Sequence, residues 1–253
     1  MLEAVRTPAL GGDVTSVKCN GRGLPLGLTV DDVTGLELSG EEAQTHKDWM
    51  GPIAKQVGAE RWVTDDADGF KTVAEGLGLE QPGCQSHVKR NTDEWIAGLR
   101  SVIAQGTDQS LAALGITFEQ AWADVERLGQ WIQTRRPEGP VELEAWYDRY
   151  GGAAPPSTGQ TASLADRLYL VFLDRWNVWL LLTRYRTWRG PHGETLEGTQ
   201  NACERGIGGW IKECYRTRRG YTRPPSAANV SRLLAFCGNF LGRGGLDLAL
   251  LVA

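Results

Sequence analysis

Arg61-Trp-Val-Thr-Asp65-Asp-Ala-Asp-Gly-Phe70 reads as a short apolar strand, Arg61–Thr64, that ends on an aspartate and turns straight into a helix over Gly69–Leu77. Asp65 follows the strand directly, while Asp66 and Asp68 suit the turn and the helix N-cap. Working outward, Gln81–Gln85 forms a further strand. Upstream, Val14–Cys19 and Leu24–Val30 flank Asn20-Gly21-Arg22-Gly23, a hairpin signal. Leu36–Ser39 makes a short third strand after the turn Asp31-Asp32-Val-Thr-Gly35. Glu41–Val57 is a helix with Trp49, Ile53 and Val57 along one face. The order βββαβαβα implies an α/β fold in which three antiparallel strands precede strands linked through helices.

From Val88 to about Arg189 nearly every segment has helical periodicity. Trp95, Leu99, Val102 and Ile103 form one apolar stripe, and Phe118, Trp122, Val125, Leu128, Trp131 and Ile132 a second. Leu168, Phe172, Trp176, Trp179 and Leu180 form a third, and Gly151–Gly159 is a loop. Most of these tryptophans are expected in a helix-packing core. Beyond Gly190-Pro-His-Gly193 a helix runs from near Thr199 to Thr217, with Asn201, Glu204 and Gly208 on one face, and Ala227–Leu241 is a last helix.

The chain has 253 residues, enough for a sizeable core, and a net charge of -4 that rules out a uniformly basic nucleic-acid binder. The charge is uneven. Arg205, Lys212, Arg216, Arg218, Arg219 and Arg223 face a single acid, Glu213, which describes either a phosphate-binding face or an ordinary solvated one. Five irregularly spaced cysteines form no CxxC pair, which argues against a disulfide framework and for a reducing compartment. No signal peptide and no run of about 20 apolar residues is present, so a soluble, cytoplasmic protein without a membrane partner is expected.

The chemistry-bearing residues are three carboxylates far apart in sequence. Carboxylate oxygens suit magnesium or manganese, and two such ions roughly 4 Å apart run in-line phosphoryl transfer. Strand-end aspartates give rigid ligands, and a packed helix delivers a distant glutamate. Asp65 and Glu204 fit these roles. Plainer readings stand beside them: Asp65 as a helix cap, Glu204 as a surface acid paired with Lys212 or Arg205. Cys84 and His87 in Cys84-Gln-Ser-His87-Val-Lys-Arg-Asn91 are half of a zinc pattern with no second half, so His87 is either a site residue or a structural histidine.

These motifs together resemble the DDE transposases, in particular the mutator-like branch and its bacterial insertion-sequence relatives. Val63-Thr-Asp65-Asp-Ala-Asp-Gly-Phe70, the Cys84–Asn91 block and Thr199-Gln-Asn-Ala-Cys-Glu204-Arg-Gly-Ile-Gly208 match its second and third acidic blocks in order. Gly11-Gly12-Asp13-Val-Thr-Ser-Val-Lys18 matches the first strand, which makes Asp13 the first carboxylate, with Asp31 and Asp32 as rivals. The resemblance implies an RNase H-like core with a mixed five-stranded sheet and flanking helices, interrupted by an all-helical insertion. Residues 1–90 would form the first part of that core, 91–190 the insertion and 191–253 the remainder.

It further implies a transposase that cleaves and joins DNA strands, with Asp13, Asp65 and Glu204 holding two Mg2+ or Mn2+ ions and His87 near the scissile phosphate. Arg90, Lys212, Arg216, Arg218 and Arg219 would contact DNA, and the protein would act as a homo-oligomer, associated with the nucleoid if bacterial. Asp13 comes too early for the N-terminal DNA-binding region usual in such proteins. A separate recognition module is therefore expected, or a truncated or domesticated descendant; a nuclease on the same core is the other alternative.

Overall fold

The computed structural model describes residues 6–31, 37–42, 45–136, 138–152, 161–196, 198–199, 203, 207–218 and 220–241. The chain forms two compact units. One joins Met1–Cys84 to Arg184–Ala253, and the other is Gln85–Thr183.

The first unit is built on a sheet of order β3-β2-β1-β4, with β1 (Ala9–Cys19), β2 (Arg22–Asp31), β3 (Glu37–Glu42) and β4 (Arg61–Val63). β1 and β2 are antiparallel and joined through Asn20 (φ 50°) and Gly21 (φ 75°). Positive φ at both residues is the two-residue turn whose twist matches a hairpin. β2 pairs antiparallel with β3, and β1 pairs parallel with β4. The parallel pair requires a crossover, supplied by α1 (His46–Val57). Thr45 caps α1 with Asp48 in a capping box, so this helix begins five residues later than its apolar periodicity suggests. α2 (Asp68–Gly76) follows, with Ala67 rather than Asp68 at the N-cap.

The expected five-stranded sheet is not formed; the described strands number four. In place of the fifth, Glu80 and Gly83 make isolated parallel bridges to Arg61 and Thr64. Trp62 N–H donates to Glu80 O (3.0 Å) and Cys84 N–H to Thr64 O (2.8 Å). Pro82 lies between them and has no N–H to continue the ladder.

Alternation along β1 gives the sheet two different faces. Leu10 and Val14 face α1 and α2, in a core of Trp49, Met50, Ile53, Val57, Trp62 and Phe70. This layer is dense. A Cβ at Gly12 would overlap the indole of Trp62, and one at Gly27 would overlap that of Trp49, so glycine is required at both. The two indoles meet edge to face, with centroids 5.3 Å apart. On the other face Val17, Cys19, Leu24, Leu26, Leu28 and Val30 pack with Cys203, Ile211, Ala227 and Ala235. The last three belong to α8 (Ile207–Arg218) and α9 (Pro224–Leu241).

The second unit is helical: α3 (Gln85–Gln105), α4 (Ser110–Ala113), α5 (Phe118–Thr134), α6 (Gly139–Tyr150) and α7, which starts at Leu164 and runs to Thr187 in the first unit. Its core combines Val88, Ile96, Leu99, Ile103, Val125, Leu128, Trp131, Trp146, Phe172 and Trp179. Three residues assigned to its stripes lie outside that core. Trp95 and Trp122 are 37% and 39% exposed, and Leu180 is 75% exposed. Arg175 and Arg100 cover the two indoles instead, at 4.3 and 5.7 Å from the ring centroids, giving cation–π contacts in place of apolar burial. Leu182 takes the inward position expected of Leu180.

Asp108 ties the starts of α4 and α7. Its Oδ1 accepts Ser110 N–H (2.8 Å) and its Oδ2 accepts Leu164 N–H (2.9 Å). Desolvation pushes its carboxyl upward, but the bonds from Ser110 and Leu164 and the charge of Arg167 outweigh this, leaving it below the ordinary 3.8. A depressed carboxyl stabilises the fold above its unfolded pKa and loses that contribution as pH falls through the folded one. We expect Asp108→Ala to cost about 1 kcal/mol at neutral pH, read by urea denaturation, with the difference from the parent shrinking as pH falls through the carboxyl's depressed folded-state pKa.

Candidate catalytic carboxylates beside the parallel strand pair

The site is set by register. In the parallel β1–β4 pair Ala9 is level with Arg61, Leu10 with Trp62 and Gly11 with Val63. Two residues further along each segment stand Asp13 and Asp65. A step of two returns to the same face of a strand, and neighbouring strands run about 4.8 Å apart. The pairing itself ends at Gly11 and Val63; continued by two residues, it would bring these two carboxylates from distant parts of the chain level with one another. Both residues are half-buried. Asp13 Oδ1 accepts the N–H of Val14 (2.8 Å), and Asp65 Oδ1 accepts that of Ala67 (2.9 Å), an Asx turn leading into α2. The other two acids of the block are used elsewhere: Asp66 pairs with Lys71 at 3.2 Å, and the side chain of Asp68 is 97% exposed.

Asp31, a rival for the first carboxylate, is the last residue of β2 and is level with Leu10; Asp32 lies outside the described residues. Glu204 also lies outside them, as do Asn201 and Arg205. Its neighbour Cys203 is fully buried, and its thiol donates to Leu28 O at 3.7 Å. Leu28 is the residue directly opposite Asp13 in the hairpin. The chain just before Glu204 is thus fastened to the strand position that faces Asp13.

Gln81 is a support that sequence reading missed. Its Nε2 donates to Thr64 Oγ1 and, at 3.5 Å, to Asp65 O. A glutamine beside a proline carries no motif, and only the partial fifth strand brings it to the end of β4.

His87 is half-buried in the first turn of α3 and Arg90 is exposed on the same helix; both belong to the helical unit. Lys212 and Arg216 are exposed on α8, where Arg216 pairs with Glu213 at 3.0 Å. The side chain of Arg218 and the whole of Arg219 lie outside the described residues. Among the described residues no three of His, Cys, Asp and Glu gather to hold a metal ion. Asp13 and Asp65 each carry oxygen donors of the type that magnesium takes. No helix of the described residues is long and apolar enough to cross a membrane.

No family model and no curated protein matches the chain. Among solved structures it is similar to the catalytic core domain of HTLV-2 integrase in complex with magnesium. The dimeric form is 17% identical, with 41% of this chain and 77% of that chain covered at a TM-score of 0.25. The trimeric form is 16% identical, with 48% and 84% covered at a TM-score of 0.25.

Proposed function

We propose that the chain carries an RNase H-like catalytic core of the DDE type, acting on DNA as a polynucleotidyl transferase of the transposase kind. The observation that carries this reading is the parallel register of β1 and β4, whose continuation by two residues would bring Asp13 and Asp65 level. The attachment of Cys203 opposite Asp13 supports Glu204 as the third carboxylate. In this reading the core is divided as residues 1–90 and 191–253 around the helical insertion 91–190.

Asp13, Asp65 and Glu204 would hold two magnesium or manganese ions. Such ions, when bound, activate the scissile phosphate as Lewis acids. The chain's own part is rigidity and placement. The sheet ladder fixes Asp13, and the Asx turn with Gln81 fixes Asp65, so both carboxylates are preorganised before substrate arrives. A water attacks phosphorus in line and the P–O3′ bond breaks, leaving a 5′-phosphate and a 3′-hydroxyl; that hydroxyl then attacks a second phosphodiester, whose own P–O3′ bond breaks as the new P–O bond forms and releases the target strand's 3′-hydroxyl. His87 and Arg90 would approach the scissile strand, and Lys212, Arg216, Arg218 and Arg219 would hold its backbone. Action as a homo-oligomer, associated with the nucleoid if the protein is bacterial, belongs to the same reading.

The test is incubation of the full chain with supercoiled plasmid and Mg2+ or Mn2+. Nicked and strand-joined products are expected. Nicks without joining would make the protein a nuclease on this core. DNA that stays intact with either ion would overturn catalysis and leave a DNA-binding descendant.

A further inference from the structure

A cavity of about 510 Å³ in the first unit is lined by Pro8, Glu60, Arg61, Arg184, Trp188 and Arg189 among others. Three guanidinium groups are oriented around it. Glu80 accepts a hydrogen bond from Arg61 Nε at 2.6 Å, and Glu60 accepts one from Arg61 Nη1 at 3.0 Å. The Arg61 guanidinium lies 5.5 Å from the ring centroid of the buried Trp188. Arg189 Nη1 donates to the carbonyls of Trp188 (2.6 Å) and Arg186 (3.2 Å). Arg184 is different. Its Nε lies 2.7 Å from Glu80 Oε1, an ion pair, yet that N–H makes no hydrogen bond among the described residues.

Each guanidinium carries five N–H donors in a fixed fork that matches an oxyanion. Glu60 and Glu80 hold Arg61 in place, and the carboxylate of Glu194 lies beside Gly190 of the same lining, so the charges balance. What exceeds its partners is the supply of N–H donors, which three carboxylates cannot saturate, and Arg184 Nε is one left without a hydrogen bond among the described residues. A set of arginines fixed by carboxylates and by a tryptophan face is a phosphate receptor in chemical terms.

We propose that the Arg61–Arg184–Arg189 cavity is a phosphate-binding subsite separate from the carboxylates. Its ligand is the phosphate group, either of a nucleic-acid backbone or free in solution. The backbone form rests on the polynucleotidyl transferase reading; the free form does not.

The test uses the full chain and its R184Q/R189Q double variant, which spares Arg61, with thermal melting to confirm that both are folded. Two probes are applied: a labelled DNA duplex by fluorescence anisotropy across a salt series, and inorganic phosphate by NMR of the arginine Nε–H signals. For the backbone form, the slope of log affinity against log salt falls by about two in the variant, roughly one for each lost contact. For the free form, inorganic phosphate shifts the Arg184 signal saturably while the duplex slope is unchanged in the variant. If the duplex slope is unchanged and phosphate gives no saturable shift, the arginines are a structural ion-pair network and the inference is overturned. Intact plasmid together with saturable phosphate binding would sink the catalytic reading and leave this site standing.

Discussion

Asp13→Asn and Asp65→Asn are each expected to lower metal-dependent DNA cleavage more than about a hundredfold while leaving duplex affinity within about threefold. Loss of groups that merely orient metal ligands costs ~10–100-fold, so loss of a ligand itself should exceed that range. The amide keeps the shape of the carboxylate and an oxygen that accepts the same backbone bond. The Ala67 N–H contact that builds the turn at Asp65 therefore survives, and so does that of Val14 at Asp13. What is lost is the negative charge. Asp68→Asn supplies the control, because that side chain is almost fully exposed. Plasmid nicking with Mg2+ and with Mn2+ separates these variants. Equal rates for D13N and the parent would show that levelling with Asp65 has no catalytic meaning. D65N acting like D68N would reduce the whole block to helix capping.

The local elements were legible because short-range chemistry fixes them. The Asn20-Gly21 turn needs positive φ twice, and few other residue pairs supply it. Arg61–Val63 ends where Asp65 begins its Asx turn, so the strand and its aspartate were found together. The fifth strand was overcalled because hydropathy does not register the donor that Pro82 lacks. The tryptophans were overcalled for a related reason. A 3.6-residue period marks a face about 100° wide, and Trp95 and Trp122 fall at its margin, where an arginine covers the ring.

Long-range partners were not legible at all. Gln81, the Cys203–Leu28 contact and the convergence of Arg61, Arg184 and Arg189 depend on which segments the sheet brings side by side. The match between Asp13 and Asp65 stands between these cases. Both residues carry motif signals, but the β1–β4 pairing that would bring them level is a long-range property that no single segment contains.

Trp62→Ala should cost about 3–5 kcal/mol of stability, read as a large drop in urea midpoint, since the side chain is fully buried and the cavity it leaves is lined by rigid groups. That is a large part of the roughly 5–15 kcal/mol that holds a typical domain folded. Trp62→Phe should be far milder. The indole N–H of Trp62 has no hydrogen-bond partner among the described residues, so phenylalanine removes a polar group whose burial is uncompensated. Gly12 gives a sharper test, because its Cα sits directly under that indole. Alone, Gly12→Ala overpacks the layer and should cost about 1–3 kcal/mol. In the Trp62→Ala background the added methyl enters the vacated space, and most of that cost should disappear. Additive effects would mean that the two residues do not compete for the same volume. The sheet face behind Asp13 and Asp65 would then be looser than the packing of Trp62 on Gly12 implies.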